Sequence, residues 1–509
     1  MRKYNHFLVQ AARLGSLTLV SSVLGFAREV LIARDFGASH VTDSYLVALS
    51  VPMLIYVLFF GSGLNVSLVP RLSTLLSQDA TRGRQVFAQF LSAAALWSGL
   101  ASSMIFLFPR VFVHVFAPGM AASPVALGFV RTLAPLLFIF VITFALGSFH
   151  CARDRTSNWA LITVVQNVTL VVALLLLGRM GGAKILLFGT IAGALLSFIV
   201  QARVARLDGF RETWVSPFRR GEGVSILASM IPFAFVFGLG GDYGTGQVDI
   251  FLVRLFASRL TPGSITLLAL GNKLMALPVV FIGAALGLAL LPSLSVAIAK
   301  ESWEKASRDF AQAMSYAFLA VCPIAVIYFD LGVPMARLAF ERTALTPNQL
   351  EQLGAILRAY AGAVIGLVLV YILNSYLAAL RQTRALIGAG VATAAIDALL
   401  MAVFWHRYQA PGIAVAISIG SFFYCILLLG LLAKFIPRVA RAELFVRAVI
   451  IIIGAVGMHL VLIFTVRLNV FTSAPLFGNA VLPIVAGLLM YVTWLVLHRG
   501  RLQLTVVSF

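Results

Sequence analysis

Residues 21–45 read SSVLGFAREVLIARDFGASHVTDSY, and Arg28, Glu29, Arg34, Asp35 and Asp43 interrupt what is otherwise an apolar helix pattern. Further charges stand in apolar runs at Asp242, Asp249, Arg254, Lys273 and Asp397. A charge held in hydrocarbon costs a few kcal/mol unless it meets water or a partner, so such residues line polar paths, relay ions or lock to one another. Fixed cations would hold an anion, and fixed carboxylates a cation or a proton.

The elements that must carry these groups follow from composition. The chain has 509 residues, is 61% hydrophobic and only 11% charged. Apolar stretches of about 18 residues or more recur along it, each long enough to cross a bilayer core of about 30 Å. The expected fold is an all-α polytopic membrane protein with about fourteen transmembrane helices, by the window rule. Rough centres fall near residues 20, 57, 97, 138, 168, 194, 235, 279, 319, 366, 394, 422, 455 and 487. The first stretch is too long for a signal-peptide core and no small-residue cleavage site is evident, so it is expected to remain as the first span. The net charge of +20 sits in alternate loops, such as Arg82 and Arg84, Arg153 and Arg155, and Lys300, Lys305 and Arg308. That pattern obeys the positive-inside rule rather than marking a nucleic-acid partner, and it puts both termini in the cytoplasm.

Residues 205–223 form the clearest break and mix basic residues with Phe210, Trp214 and Phe218, as an interfacial linker would. The segments on either side resemble each other. At a shift of about 220, Glu29 falls on Asp249, Arg34 on Arg254 and Ser44 on Ser264, and LVPRLS (68–73) lies near LLPSLS (290–295). An internal duplication follows, of the kind common in transporters. The expected organisation is an N-terminal lobe of six helices (1–204), a cytoplasmic amphipathic linker (205–223), a C-terminal lobe of six helices (224–436) and two added helices (437–509). Two like lobes around a linker suit a rocking transporter better than an enzyme.

Individual residues carry competing readings. Arg28 lies about 12 Å outward of the midplane of a helix centred near residue 20. It either serves a polar path or pairs with an acid, and Glu29, about 100° away around the helix, is off its face. Lys273 lies about nine residues inside the loop at 258–263, deep for a snorkelling side chain. Asp43 is suited to N-cap the second helix, or to form a gating salt bridge. Asp242 sits in GLGGDYGTGQ, which would loosen the seventh helix, and irregular backbone at that depth must line a cavity or be covered by protein. Asp242 or Asp397 is a candidate for a coupling cation or proton. Asp249 with Arg254 is the structural alternative, although residues five apart lie about 140° round a helix. Cys151, Cys322 and Cys425 and the seven histidines show no ligand spacing, and no phosphate loop follows a strand. No metal, cofactor or catalytic residue is expected.

The motif at 21–45, with VFAPGM (115–120), NKLMALPVVFIGAALGLALLPSLS (272–295), AALRQTRALI (378–387) and APGIAVAISIG (410–420), resembles the MurJ (MviN) lipid II flippases. These belong to the multidrug/oligosaccharidyl-lipid/polysaccharide exporter superfamily. The resemblance implies movement of the lipid-linked peptidoglycan precursor across a bacterial inner membrane by a monomer surrounded by membrane lipids. A coupling cation or the membrane potential would supply the energy. It also implies a substrate cavity that includes Arg28, in GFAR, and Lys273, where the family has arginine, with Asp43 and Glu29 nearby. Arginine suits pyrophosphate because its planar fork binds phosphate oxygens in pairs. The chain departs from the pattern at Ser22 and at Tyr56 and Val57, where the family has basic residues, and at Gly61 in place of a glutamate. That keeps open an exopolysaccharide-type lipid-linked cargo and, more remotely, a small-molecule cation antiporter. The second helix, apolar throughout, is expected to face lipid or a less charged cavity.

Overall fold

A computed structural model describes residues 2–502 apart from 62, 179, 211–214, 217–220, 241–246, 436–437 and 469–480. All regular structure among the described residues is helical. The first half runs α1 (Arg2–Phe36), α2 (His40–Tyr56), two π-helical segments (Val57–Gly61 and Leu64–Leu68), α3 (Val69–Gln78), α4 (Ala80–Leu107), α5 (Pro109–Phe116), α6 (Pro124–Leu133), α7 (Leu136–Cys151), α8 (Thr156–Leu177) and α9 (Ala183–Leu207). Then come α10 (Glu222–Gly240), α11 (Gln247–Ala257), α12 (Ser264–Pro278), a π-helical segment (Val279–Ala284), α13 (Ala285–Ala299), α14 (Trp303–Asp330), α15 (Gly332–Phe340), α16 (Pro347–Ala379) and α17 (Thr383–Leu432). The chain closes with α18 (Arg438–Leu468), α19 (Leu482–Leu497) and α20 (Arg499–Leu502).

All the expected span centres fall inside helices. Ten helical stretches among the described residues are long and apolar enough to cross a bilayer. Two expected spans, near 394 and 422, fall in the single 50-residue α17. At about 75 Å it is more than twice a bilayer core. Gln409, with φ 54°, breaks it. A Cβ on Gly412 would lie 2.6 Å from the Phe404 carbonyl oxygen. Residues eight apart are about 12 Å apart in a straight helix, so the chain turns sharply here.

Element order repeats along the chain, as the sequence offset suggests. α4 and α14 are both 28 residues long, and each is followed by a short helix of eight or nine residues, α5 or α15. A π-helical segment follows both α2 and α12. In α12 it begins directly after Pro278, and in α2 it comes five residues after Pro52. Proline removes a backbone donor and crowds the preceding turn, and a local π-bulge is one way the helix accommodates such a disturbance.

Packing divides the chain into two compact units, residues 1–266 with 342–344, and residues 267–341 with 345–509. The division lies beyond the linker, so α10 and α11, placed by sequence in the second lobe, pack in the first unit. Their anchors are specific: Arg82 pairs with Glu222 at 3.1 Å, the Gly223 amide donates to Gln89 Oε1 at 3.1 Å, and Phe251 meets Phe116 edge-on at 5.1 Å. Phe210, read as interfacial, is buried against Phe87 and Phe149; Trp214 and Phe218 lie outside the described residues. At the centre of this unit α7 is apolar all round, and of Leu136–His150 only Phe138 is exposed. In the second unit α18 and α19 pack against α14. Tyr491 donates to the Leu319 carbonyl at 3.1 Å, His459 bonds Asp330 at 2.8 Å, and Cys322, Met458 and Leu462 fill the seam. The three cysteines are free thiols.

Candidate functional site

Arg28 is held on the seam between α1 and α8. Its Nη1 donates to Asn167 Oδ1 at 3.0 Å and its Nη2 to Glu29 Oε1 at 2.6 Å. Asn167 is oriented in turn, because its Nδ2 donates to the Ser21 carbonyl at 3.1 Å and to Ser21 Oγ at 3.3 Å. Ser21 Oγ donates to Thr163 Oγ1 at 3.0 Å. Thr163 and Asn167 are one turn apart on α8 and share a face. Sequence reasoning missed Asn167, although this polar pair in an apolar span was visible.

The ion pair with Glu29 forms despite the angle between neighbouring helix positions, because a guanidinium on a long stem reaches around the helix. The pair leaves the fork incompletely used: Arg28 Nε is buried with no hydrogen-bond partner among the described residues. The Arg28 side chain is 22% exposed and Glu29 8%. The Nε is enclosed, but the fork is fixed from two sides and the side chain is partly exposed, so its remaining Nη hydrogens can meet an anion's oxygens.

Asp43 neither caps α2 nor forms a salt bridge among the described residues. Ser39 caps α2, in a reciprocal box with Thr42. The buried Asp43 carboxylate instead takes the Gly263 amide at 2.6 Å, and the Thr266 amide and hydroxyl at 2.8 and 2.6 Å. It therefore satisfies the orphan donors at the start of α12, where a carboxylate is also favoured by the helix dipole. Gly263 is required at this approach, since its φ is +96° and a Cβ would come within 2.6 Å of the Ala38 carbonyl. Asp43 and Gly263 are 220 positions apart, the offset of the internal repeat. The Gly119 amide donates to Ser258 Oγ at 3.3 Å, and the Ala344 amide to the Ala33 carbonyl at 3.1 Å.

The remaining candidates separate. Arg254, buried on α11, forms no ion pair with Asp249; its electrostatic neighbours are Glu29, Asp43 and Tyr45. Asp249 is half-buried. Asp397 is fully buried on α17 in the second unit, which also holds Lys273, half-buried on α12. Asp242 lies outside the described residues. Tyr56 is not on a lipid-facing or cavity-facing helix surface, contrary to expectation: it is 6% exposed and stacks on Phe144 at 4.8 Å. Among the described residues no group of His, Cys, Asp and Glu is placed to hold a metal.

Comparison with known proteins bears on this arrangement. A Burkholderia cenocepacia protein named lipid II flippase MurJ is 26% identical over 417 residues, covering 79% of each chain. A Bdellovibrio bacteriovorus protein named probable lipid II flippase MurJ is 24% identical, covering 89% of this chain and 87% of the relative. In fold, the chain is similar to the structure titled lipid II flippase MurJ, inward closed conformation, with a TM-score of 0.78 at 18% identity over 96% of this chain and 99% of that one. An inward-facing MATE family transporter of the MOP superfamily gives 0.65 at 13% identity, over 86% and 98%. The family model described as lipid II flippase MurJ matches residues 32–481, and the chain belongs to that family of multi-pass membrane transporters.

Proposed function

We propose that this chain moves lipid II, a disaccharide-peptide carried on polyprenyl pyrophosphate, from the inner to the outer leaflet of a bacterial cytoplasmic membrane by alternating access. Pyrophosphate cannot enter hydrocarbon unaided. The Arg28 guanidinium, set by Asn167 and Glu29 with a donor to spare, carries the reading. The polyprenyl tail stays in lipid while the head group passes through a polar path. Both termini lie in the cytoplasm, in keeping with the basic loops. The monomer is the working unit, and a coupling cation or the membrane potential drives the cycle. Asp397, buried on α17, or Asp242 is the acid that couples the cycle to a cation or proton.

Lys273 supplies a second positive charge. Lys273→Arg restores the planar fork, so transport is expected to be retained or raised. Initial rates in proteoliposomes check this, and complete loss would instead mark a tight structural position.

The burial of Tyr56 removes one place where the family has a cation, which favours keeping a second cargo in view. Complementation of a strain depleted of its own lipid II flippase decides. Growth supports lipid II. Failure at normal membrane expression turns the assignment to an exopolysaccharide-type lipid-linked glycan. A cation antiporter is disfavoured, because cationic cargo needs acids where this site presents arginine.

A further inference from the structure

Arg34 and Arg254 occupy equivalent positions in the two halves, and they are treated differently. Arg34 is followed by Asp35 and bonds it at 2.8 and 3.1 Å, so its charge is neutralised locally. Arg254 is followed by Leu255. It is 9% exposed, and no hydrogen bond or ion pair joins its side chain to any described residue. The carboxylates in its electrostatic range are both committed elsewhere. Glu29 bonds Arg28, and Asp43 bonds the start of α12. Tyr45, whose hydroxyl bonds Thr190, lies in the range of both Arg28 and Arg254. Arg28 on α1 and Arg254 on α11 thus both lie within electrostatic range of Glu29 and Tyr45 in the first unit.

The Arg254 residue is largely buried, yet none of its guanidinium nitrogens is among the fully enclosed unpartnered polar atoms, so the fork stays accessible with no protein partner among the described residues. The nearby acids reduce the charge cost without filling the fork. Such a fork is open to an anion's oxygens. From the convergence of Arg28 and Arg254 around Glu29 and Tyr45, we infer that Arg254 is a second phosphate-binding residue, so that each arginine takes one phosphate of a pyrophosphate. Arg254 supplies in this chain the positive charge absent at Ser22, Tyr56 and Val57. The inference rests on the reading of the substrate as a polyprenyl pyrophosphate.

The test compares binding of polyprenyl pyrophosphate and polyprenyl monophosphate to the purified full chain in nanodiscs, with thermal unfolding followed in parallel. Arg254→Gln is expected to weaken the pyrophosphate lipid about ten- to a hundredfold, the loss of one charge-assisted contact. The monophosphate lipid, which needs one arginine only, is expected to change far less. Arg254→Lys keeps the charge and serves if the glutamine variant does not fold. It is expected to lose several-fold on the pyrophosphate lipid alone, for want of the fork. An unchanged ratio between the two lipids in either variant overturns the inference, whether affinities stay at wild type or fall together with the melting temperature, as for a mere counter-ion to Glu29 and Asp43. Arg28→Ala separates the two levels. If it loses binding while Arg254→Gln does not, only this inference fails. If the wild-type chain binds neither lipid, the substrate reading fails with it.

Discussion

Replacing Arg28 with alanine is expected to abolish growth in a strain depleted of its own lipid II flippase, while the protein remains in the membrane at its usual level. Truncating one partner of a buried, hydrogen-bonded charge contact costs about 2–5 kcal/mol of binding, or roughly thirty- to several-thousandfold in affinity. The folding cost is smaller. Glu29 keeps a cation in range in Arg254, and Asn167 keeps both its bonds to Ser21. Arg28→Lys is expected to fall between, with charge but no planar fork. The readouts are growth and an immunoblot of the membrane fraction. Full growth of the alanine variant would remove Arg28 from the site.

Asp43→Ala carries the largest expected stability effect. One carboxylate holds the Gly263 amide and both donors of Thr266, all buried. Its removal strands these donors and withdraws a negative charge from the start of α12. Each stranded buried group costs about 1–3 kcal/mol. The melting temperature in detergent is expected to drop by several degrees or more, and Asp43→Asn, which keeps one acceptor oxygen, is expected to drop less. Because α12 carries Lys273, transport should fall along with stability. An alanine variant that melts with the wild type would show that α12 does not depend on this carboxylate.

The helices and their order were legible because a bilayer imposes length and apolarity on every span, and those are properties of local sequence. The internal repeat was legible for the same reason, since EVLIAR and DIFLVR keep their register. What escaped was set by contacts across the chain. Asp43 read as a cap on its own helix because capping is a short-range habit. Its partners are 220 and 223 residues away. Arg28 and Glu29 were read as facing apart from backbone geometry, but the long arginine stem closes the gap. Tyr56 gave no sign of its place, because whether an aromatic faces lipid or stacks on Phe144 depends on the neighbouring helix. Arg254 stands out in sequence as a charge in an apolar run, but the acid weighed beside it there is Asp249, the local alternative. Only the fold brings Glu29, Asp43 and Tyr45 to it.

The most direct measurement is the transbilayer movement of fluorescent lipid II in proteoliposomes holding the purified chain, read as the fraction of label that becomes accessible to an impermeant quencher. The account predicts movement well above protein-free vesicles, lost in Arg28→Ala and competed by polyprenyl pyrophosphate but not by the polyprenyl alcohol. Movement at the unaided rate, or equal competition by the uncharged alcohol, would contradict it.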